Sequence, residues 1–154
     1  MTPRVHLVAG LLAPLCIATF FVASLGVELF GSHAAVAQVK SLIVTPGLWI
    51  LVPAIAAAGG SGMFLGRTRK GRLADAKKKR MPFIAANGLL VLLPCAIVLD
   101  RWAAAGTFDT AFHALQGVEL IAGAINLTLM GLNVRDGLRM TGRLRPVRRP
   151  TPAS

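Results

Sequence analysis

Four long apolar segments occupy most of this 154-residue chain and constrain its fold more than any other feature. They cover about residues 5–30, 41–66, 82–99 and 112–132. A helix needs roughly 20 apolar residues to cross the hydrocarbon of a bilayer, and these segments meet or approach that length. Backbone amides in lipid find no water to bind, and the sequence lacks the alternating pattern of barrel strands. The sequence therefore predicts an all-α integral membrane bundle of four helices.

The composition agrees with a core that is solvated by lipid. Hydrophobic residues make up 55% of the chain and charged residues 15%, and the mean hydropathy is +0.65. Soluble domains carry about 25% charged residues. The first apolar run is also longer than the roughly 7 to 15 residues of a signal-peptide core, which favours an uncleaved anchor. We therefore expect one four-helix domain over residues 1–137, followed by a basic, disordered cytoplasmic tail over residues 138–154.

Lys and Arg residues are concentrated on one side of the predicted bundle. One precedes the first segment, eight lie between the second and third segments, and six follow the fourth segment. Lys40 and Arg101 are the two that fall on the other side. Because cytoplasmic loops carry the excess of Lys and Arg, this distribution predicts an up-down-up-down bundle with both termini in the cytoplasm.

The basic stretch between the second and third segments is interpreted as a contact surface for anionic lipid headgroups. No aromatic residue is interleaved among its cations, and a topology signal explains the pattern better than nucleic-acid binding does. Each Lys or Arg near an anionic surface contributes about 1 kcal/mol. The residues assigned to this contact are Arg67, Arg69, Lys70, Arg72, Lys77, Lys78, Lys79 and Arg80. The predicted partners are the lipid bilayer and its headgroups, and the bundle can also join a homo-oligomer or a larger membrane complex.

Two carboxylates inside the apolar segments are the first candidate functional residues. Glu28 lies near the end of the first segment, and Glu119 lies about two turns into the fourth. An ionisable side chain in a bilayer costs a few kcal/mol even on insertion scales. Glu28 can remain an interfacial carboxylate that reaches water. If a proton or ion path exists, Glu119 is its predicted carrier, and the four helices would have to dimerise to enclose that path.

A stripe of polar and small residues follows one face of the fourth segment. It consists of Gln116, Glu119, Gly123, Asn126 and Met130, which recur at intervals of three and four residues. This spacing places them on one helix face, and that face should point into the bundle. The two interpretations are interhelical hydrogen bonding with a close approach at the glycine, and a path for a proton, ion or ligand.

A further polar cluster is predicted at the cytoplasmic mouth of the bundle. Asn87 lies rather more than one turn into the third segment, and Asn133 and Asp136 lie at the end of the fourth. We expect Arg80 or Arg135 to pair with Asp136. Such a cluster is sufficient as a structural network that ends the helices.

The histidines provide the candidate haem ligands. His33 and His113 fall at the predicted outer ends of the first and fourth segments, and His6 falls at the cytoplasmic end of the first. Two imidazoles on facing helices can hold a haem iron, and His33 with His113 is the only same-side pair. His6 would need Met81, Met140 or a second protomer as its axial partner. A haem b site is therefore one hypothesis, and solvated interfacial imidazoles are the other.

A resemblance to known proteins rests on three stretches: GGSG from Gly59, RMPFIAANGLL from Arg80 and GVELIAGAINLTLMGLNVRDGLR from Gly117. Over about residues 5–143, the chain resembles small four-helix inner-membrane proteins of bacteria whose function is uncharacterised. This resemblance implies a multi-pass protein of the bacterial inner membrane and supplies no active site. A looser likeness connects the chain to four-helix b-type cytochromes, which place paired histidines inside facing helices.

The functional hypotheses follow from these residues. The sequence contains no nucleophile with its base, no phosphate-binding loop and no metal-ligand constellation. The leading hypothesis is therefore a non-enzymatic accessory or assembly subunit, or a small oligomer. The alternatives are a haem b electron-transfer protein and a proton-coupled transporter or channel formed by a dimer.

Overall fold

A computed structural model describes residues 3–66 and 71–140 of the chain. This part of the chain is all-helical and contains no strand. Within it, four helices are long and apolar enough to cross a membrane. These four spans, numbered first to fourth, are Leu7–Phe30, His33–Gly62, Arg72–Ala104 and Thr110–Met140. The prediction of an all-α chain with four membrane-compatible helices is confirmed.

The second and third spans are each built from two α-helices joined by a π-helical segment. The α-helices are α1 Pro3–Phe30, α2 His33–Leu42, α3 Trp49–Gly66, α4 Arg72–Asn87, α5 Leu93–Ala104 and α6 Thr110–Met140. The π-helical segments are Ile43–Leu48, between α2 and α3, and Gly88–Leu92, between α4 and α5. In the first of these, Thr45 leaves helical geometry with φ −136° and ψ 110°. Thr45 precedes Pro46, which lacks an amide hydrogen and disfavours helical geometry in the residue before it.

The second span begins earlier than its apolar segment predicted. The Oγ atom of Ser32 accepts a hydrogen bond from the amide nitrogen of Ala35 at 3.3 Å, and this cap starts α2 at His33. The sequence placed Lys40 in an outer link before a helix at residues 41–66. The structure corrects that placement, because Lys40 lies inside α2, about two turns from its start.

The third and fourth spans also extend into stretches that the sequence assigned to polar links. α4 begins at Arg72, so the basic residues from Arg72 to Arg80 belong to a helix and not to a loop. α6 continues to Met140, so the first three residues of the predicted tail, 138–140, are helical. Residues 141–154 lie outside the described residues. A membrane helix can continue through charged residues outside the hydrocarbon, so the length of the apolar segment alone underestimates the length of the helix.

Both halves of the second span contact α1 and both halves of the third span contact α6, whereas the contact between these two spans is made through α2 and α5. α2 packs against α5, whereas α3 packs mainly against α1, and α4 packs mainly against α6. α1 also packs against α6. The second and third spans therefore adjoin each other through α2 and α5, and a gap lined by α3 and α4 remains along the rest of their length.

Two small apolar clusters form the interior. One consists of Val36, Cys95, Leu99, Ala103 and Phe112, and the other of Ala13, Ile17, Leu51 and Ala54. Many large apolar side chains point outward instead, and Phe30 is 89% exposed. Lipid is as apolar as these side chains, so helices in a membrane associate through close packing and polar contacts rather than through the hydrophobic effect.

Candidate functional site

A buried ion pair joins the second and fourth spans. Lys40 Nζ lies 2.5 Å from Glu119 Oε2, and the Lys40 side chain is fully buried, while that of Glu119 is 12% exposed. Lys40 Nζ also donates to Oγ of Ser24 on α1 at 3.4 Å. Gln116 Nε2 donates to the same carboxylate oxygen, Glu119 Oε2, at 3.1 Å. These four residues, named the ion-pair layer below, tie three spans together.

The ion-pair layer lies well inside the helices that carry it. Lys40 is seven residues from the start of α2, and Glu119 is nine residues from the start of α6, which corresponds to depths of about 10 and 14 Å. An isolated charge at such a depth costs a few kcal/mol, whereas a hydrogen-bonded pair carries no net charge. The arrangement neutralises Glu119 and fixes the position of its carboxylate.

Glu28 and His113 form a looser contact between α1 and α6. Glu28 Oε2 lies 3.8 Å from His113 Nδ1, and the His113 side chain is 56% exposed. Glu28 Oε1 is buried and has no hydrogen-bond partner. The contact joins the end of the first span to the beginning of the fourth.

The candidate haem ligands lie in separate surroundings. The His33 ring stacks on Phe108 with 4.1 Å between ring centroids, whereas His113 packs edge-on against Phe112 at 5.4 Å. His6 lies in α1, and its side chain is outside the described residues. Among the side chains that the structure describes, no group of three or more His, Cys, Asp or Glu could hold a metal ion.

A second polar cluster joins the start of the third span to the end of the fourth. Arg80 Nη1 lies 2.6 Å from Asp136 Oδ2, and the Asp136 side chain is only 2% exposed. Arg135 Nε lies 3.5 Å from the other carboxylate oxygen, Oδ1. Asn133 completes the cluster, because it accepts from Arg80 at 3.5 Å and donates to Met81 Sδ at 3.4 Å. The sequence offered Arg80 and Arg135 as alternative partners of Asp136, and both contact it.

A cavity of about 250 Å³ lies inside the bundle. Ser24 and Glu119 of the ion-pair layer border it, as does Asn126, and its other lining residues are apolar and come from all four spans. Both π-helical segments contribute to this lining. π-helical turns inside α-helices occur frequently at functional sites.

Asn126 is the polar group of this cavity that has no partner. Its side chain is fully buried, and neither Nδ2 nor Oδ1 has a hydrogen-bond partner. Asn87, which the sequence placed in the polar cluster at the cytoplasmic mouth, instead donates to the carbonyl oxygen of Ala122 at 2.8 Å. A methyl group added to Gly88 would lie 3.7 Å from Asn126 Nδ2. At this distance the methyl group would make an ordinary van der Waals contact with the amide.

Sequence reasoning found the stripe on the fourth span but missed the residues that complete it. Gln116, Gly123 and Asn126 are buried as predicted. Lys40 and Ser24 were not among the candidates, although Ser32 followed by a helix-compatible run is a helix-start signal that would have placed Lys40 inside α2.

The predicted headgroup contacts are only partly within the described residues. Arg72 and Lys77 to Arg80 lie in α4, whereas Arg67, Arg69 and Lys70 are outside the described residues. Among the described ones, Arg72, Lys78 and Lys79 are exposed. Headgroup binding by this stretch stays a prediction.

The four apolar spans and the charged groups paired between them define the class of this chain as a multi-pass α-helical protein compatible with a membrane. Comparison with protein-family models, with curated proteins and with solved structures finds no match.

Proposed function

We propose that the chain is a non-enzymatic, multi-pass protein of the bacterial inner membrane that acts as an accessory or assembly subunit or as a small oligomer. The observation that carries this proposal is an exposed face of α3. Val52, Ala56, Gly60 and Phe64 recur at intervals of four residues, and all four are exposed. Two small residues four positions apart allow the backbone of another membrane helix to approach closely. All four residues of this face are apolar, so the face is better suited to contact with a membrane helix than to binding a water-soluble ligand.

The polar contacts inside the bundle support the same assignment. Lys40 and Gln116 both contact the Glu119 carboxylate, and Arg80 contacts Asp136. Polar groups used in this way hold helices together. The contacts of Glu119 with a fixed cation support a structural role over that of a proton carrier.

Both termini are proposed to be cytoplasmic, with successive spans crossing in opposite directions. The contact of Arg80, near the start of the third span, with Asp136, near the end of the fourth, supports opposite directions for these two spans. The contact of Glu28 with His113 supports the same relation for the first and fourth. The side that carries the basic residues is the cytoplasmic side by the positive-inside rule. Labelling of positions on the two sides by an impermeant reagent measures this orientation.

The assembly proposal is tested by the mass of the protein in mild detergent. We expect more than one copy per particle, or a co-purifying membrane protein, and we expect Gly60→Leu to release it because leucine fills the gap that a second helix requires. Gly131→Leu is the matched control, since Gly131 is also exposed, lies in α6 and has open space beside it. A monomeric wild-type particle without a partner would overturn the proposal.

A further inference from the structure

Two buried oxygen atoms near the end of the first span have no hydrogen-bond partner. They are Oε1 of Glu28 on α1 and Oε1 of Gln116 on α6. The Gln116 residue is only 3% exposed, and the Glu28 side chain is 15% exposed. A buried polar atom without a partner is rare in folded proteins and requires an explanation.

The packing of α1 on α6 brings these two side chains to the same level. Phe21 lies against Gly123, since a Cβ atom added to the glycine would stand 3.3 Å from Phe21 Cδ2. Glu28 follows Phe21 by seven residues, which is about two helical turns. Gln116 precedes Gly123 by the same interval. The contact of Glu28, near the end of α1, with His113, near the start of α6, indicates that the two helices are antiparallel here. Gln116 therefore lies opposite Glu28 across the interface.

An imidazole nitrogen completes this group of atoms. His113 Nδ1 lies 3.8 Å from Glu28 Oε2, which is too long for a hydrogen bond. His113 and Gln116 are three residues apart on α6, so they are neighbours on one helix face. The His113 side chain is 56% exposed, and the group can therefore be reached from outside the bundle. A carboxylate, an amide oxygen and an imidazole converge at this point.

The chemistry of these atoms calls for a cation. The carboxylate and the amide oxygen are acceptors, and a neutral imidazole with its proton on Nε2 presents a lone pair at Nδ1. Lys40, the buried cation of the same bundle, is already paired with Glu119. Imidazole nitrogen and carboxylate oxygen are both ligands of zinc. We propose that Glu28, His113 and Gln116 form a binding site for one Zn²⁺ ion or a similar divalent transition metal.

The distances fit such coordination after a small movement. Two ligand atoms that are each about 2.1 Å from a tetrahedral zinc ion stand about 3.4 Å apart. The 3.8 Å between His113 Nδ1 and Glu28 Oε2 exceeds this separation by a few tenths of an ångström, and the exposed imidazole can move by that amount. The site has two of the side chains that usually bind metals, and the Gln116 amide oxygen is the third ligand. Water fills the fourth position on the exposed side.

Calorimetric titration of the purified, untagged full-length protein in detergent with Zn²⁺ tests this site. We expect one ion per chain. His113→Phe and Glu28→Gln should each weaken binding at least about tenfold, since loss of even a hydrogen-bond partner of a metal ligand costs about 10–100-fold in affinity. Gln116→Met should weaken binding severalfold, because it removes the amide oxygen and keeps a side chain of similar length. A wild-type protein that binds no Zn²⁺, or an unchanged affinity in Gln116→Met, would overturn the proposed ligand set.

His33→Phe is the matched control for the imidazole ligand. His33 also lies at the beginning of a span, but its ring stacks on Phe108. This variant should bind Zn²⁺ as tightly as the wild type does. Because His113 is exposed, His113→Phe should keep the wild-type helix content, which circular dichroism measures before each titration. Binding that persists in His113→Phe, or that is lost equally in His33→Phe, would show that the ion binds elsewhere and would contradict the assignment.

Discussion

Removal of one partner of the buried ion pair should destabilise the protein far more than removal of both. Lys40→Met leaves the Glu119 carboxylate without its cation but with the Gln116 hydrogen bond at 3.1 Å. Glu119→Gln leaves the Lys40 ammonium group fully buried, with a neutral amide oxygen and Ser24 Oγ, at 3.4 Å in the wild type, as its acceptors in place of a carboxylate. The second variant leaves the more deeply buried of the two charges without a counterion, and it should therefore be the more damaging of the two.

The magnitude follows from two independent scales. Breaking a buried pair by removing one partner costs about 3–5 kcal/mol. Placing a charge at the centre of a membrane helix costs about 2.5–3.5 kcal/mol on insertion scales. We therefore expect Lys40→Met to lower the free energy of unfolding by about 3 kcal/mol and Glu119→Gln by about 4 kcal/mol. The double variant carries no buried charge at these positions and should cost about 1 kcal/mol.

Unfolding in mixed micelles of SDS and a mild detergent measures these differences, with helix content as the readout. Lys79→Met removes an exposed cation from α4 and should change the free energy of unfolding by less than about 0.5 kcal/mol. A double variant that loses as much as the two single variants together would refute the reasoning. Such additivity would mean that the two side chains contribute independently and not as a pair.

Two further predictions concern packing and topology. Gly47→Ala should lower the free energy of unfolding by about 1–3 kcal/mol, because its Cβ would lie 2.7 Å from Phe20 Cζ and 2.9 Å from the carbonyl oxygen of Leu42. Gly60 has open space beside it, so Gly60→Ala should leave the free energy of unfolding equal or higher in the same SDS titration. Equal losses for both glycines would contradict this packing. In a variant without native cysteines, an impermeant maleimide should label Ala105→Cys in intact cells and Arg72→Cys only after permeabilisation, and the reverse pattern would overturn the proposed orientation.

The number and type of the spans could be predicted from the sequence because they depend on a single physical quantity. The absence of water in hydrocarbon forces long apolar runs into helices, and no distant contact can alter that. The ends of the helices were harder to predict from the sequence. The cap at Ser32 and the basic run from Arg72 lie outside the apolar windows, and both lengthen a span into residues that hydropathy assigns to links.

The polar contacts were predictable only where both partners lie near helix ends or on one face. The pairing of Asp136 followed from the placement of Arg80 and Arg135 at the same end of the bundle. The ion pair did not, since Lys40 and Glu119 are 79 residues apart and their meeting depends on the true start of α2. The cavity was not predictable at all. It depends on how α3 and α4 diverge, and that divergence is a property of packing.

The ion-pair layer and the cavity are parts of one arrangement. The charged contact holds α2 of the second span to α6, and α2 also packs against α5 of the third span. Beyond the π-helical segments, α3 packs mainly on α1 and α4 mainly on α6. The two spans are therefore held together on one side of these segments and drawn apart on the other, and the space that opens between them is bordered by Asn126. The π-helical segments lie where the packing of α2 on α5 ends, and both segments line the cavity that opens there.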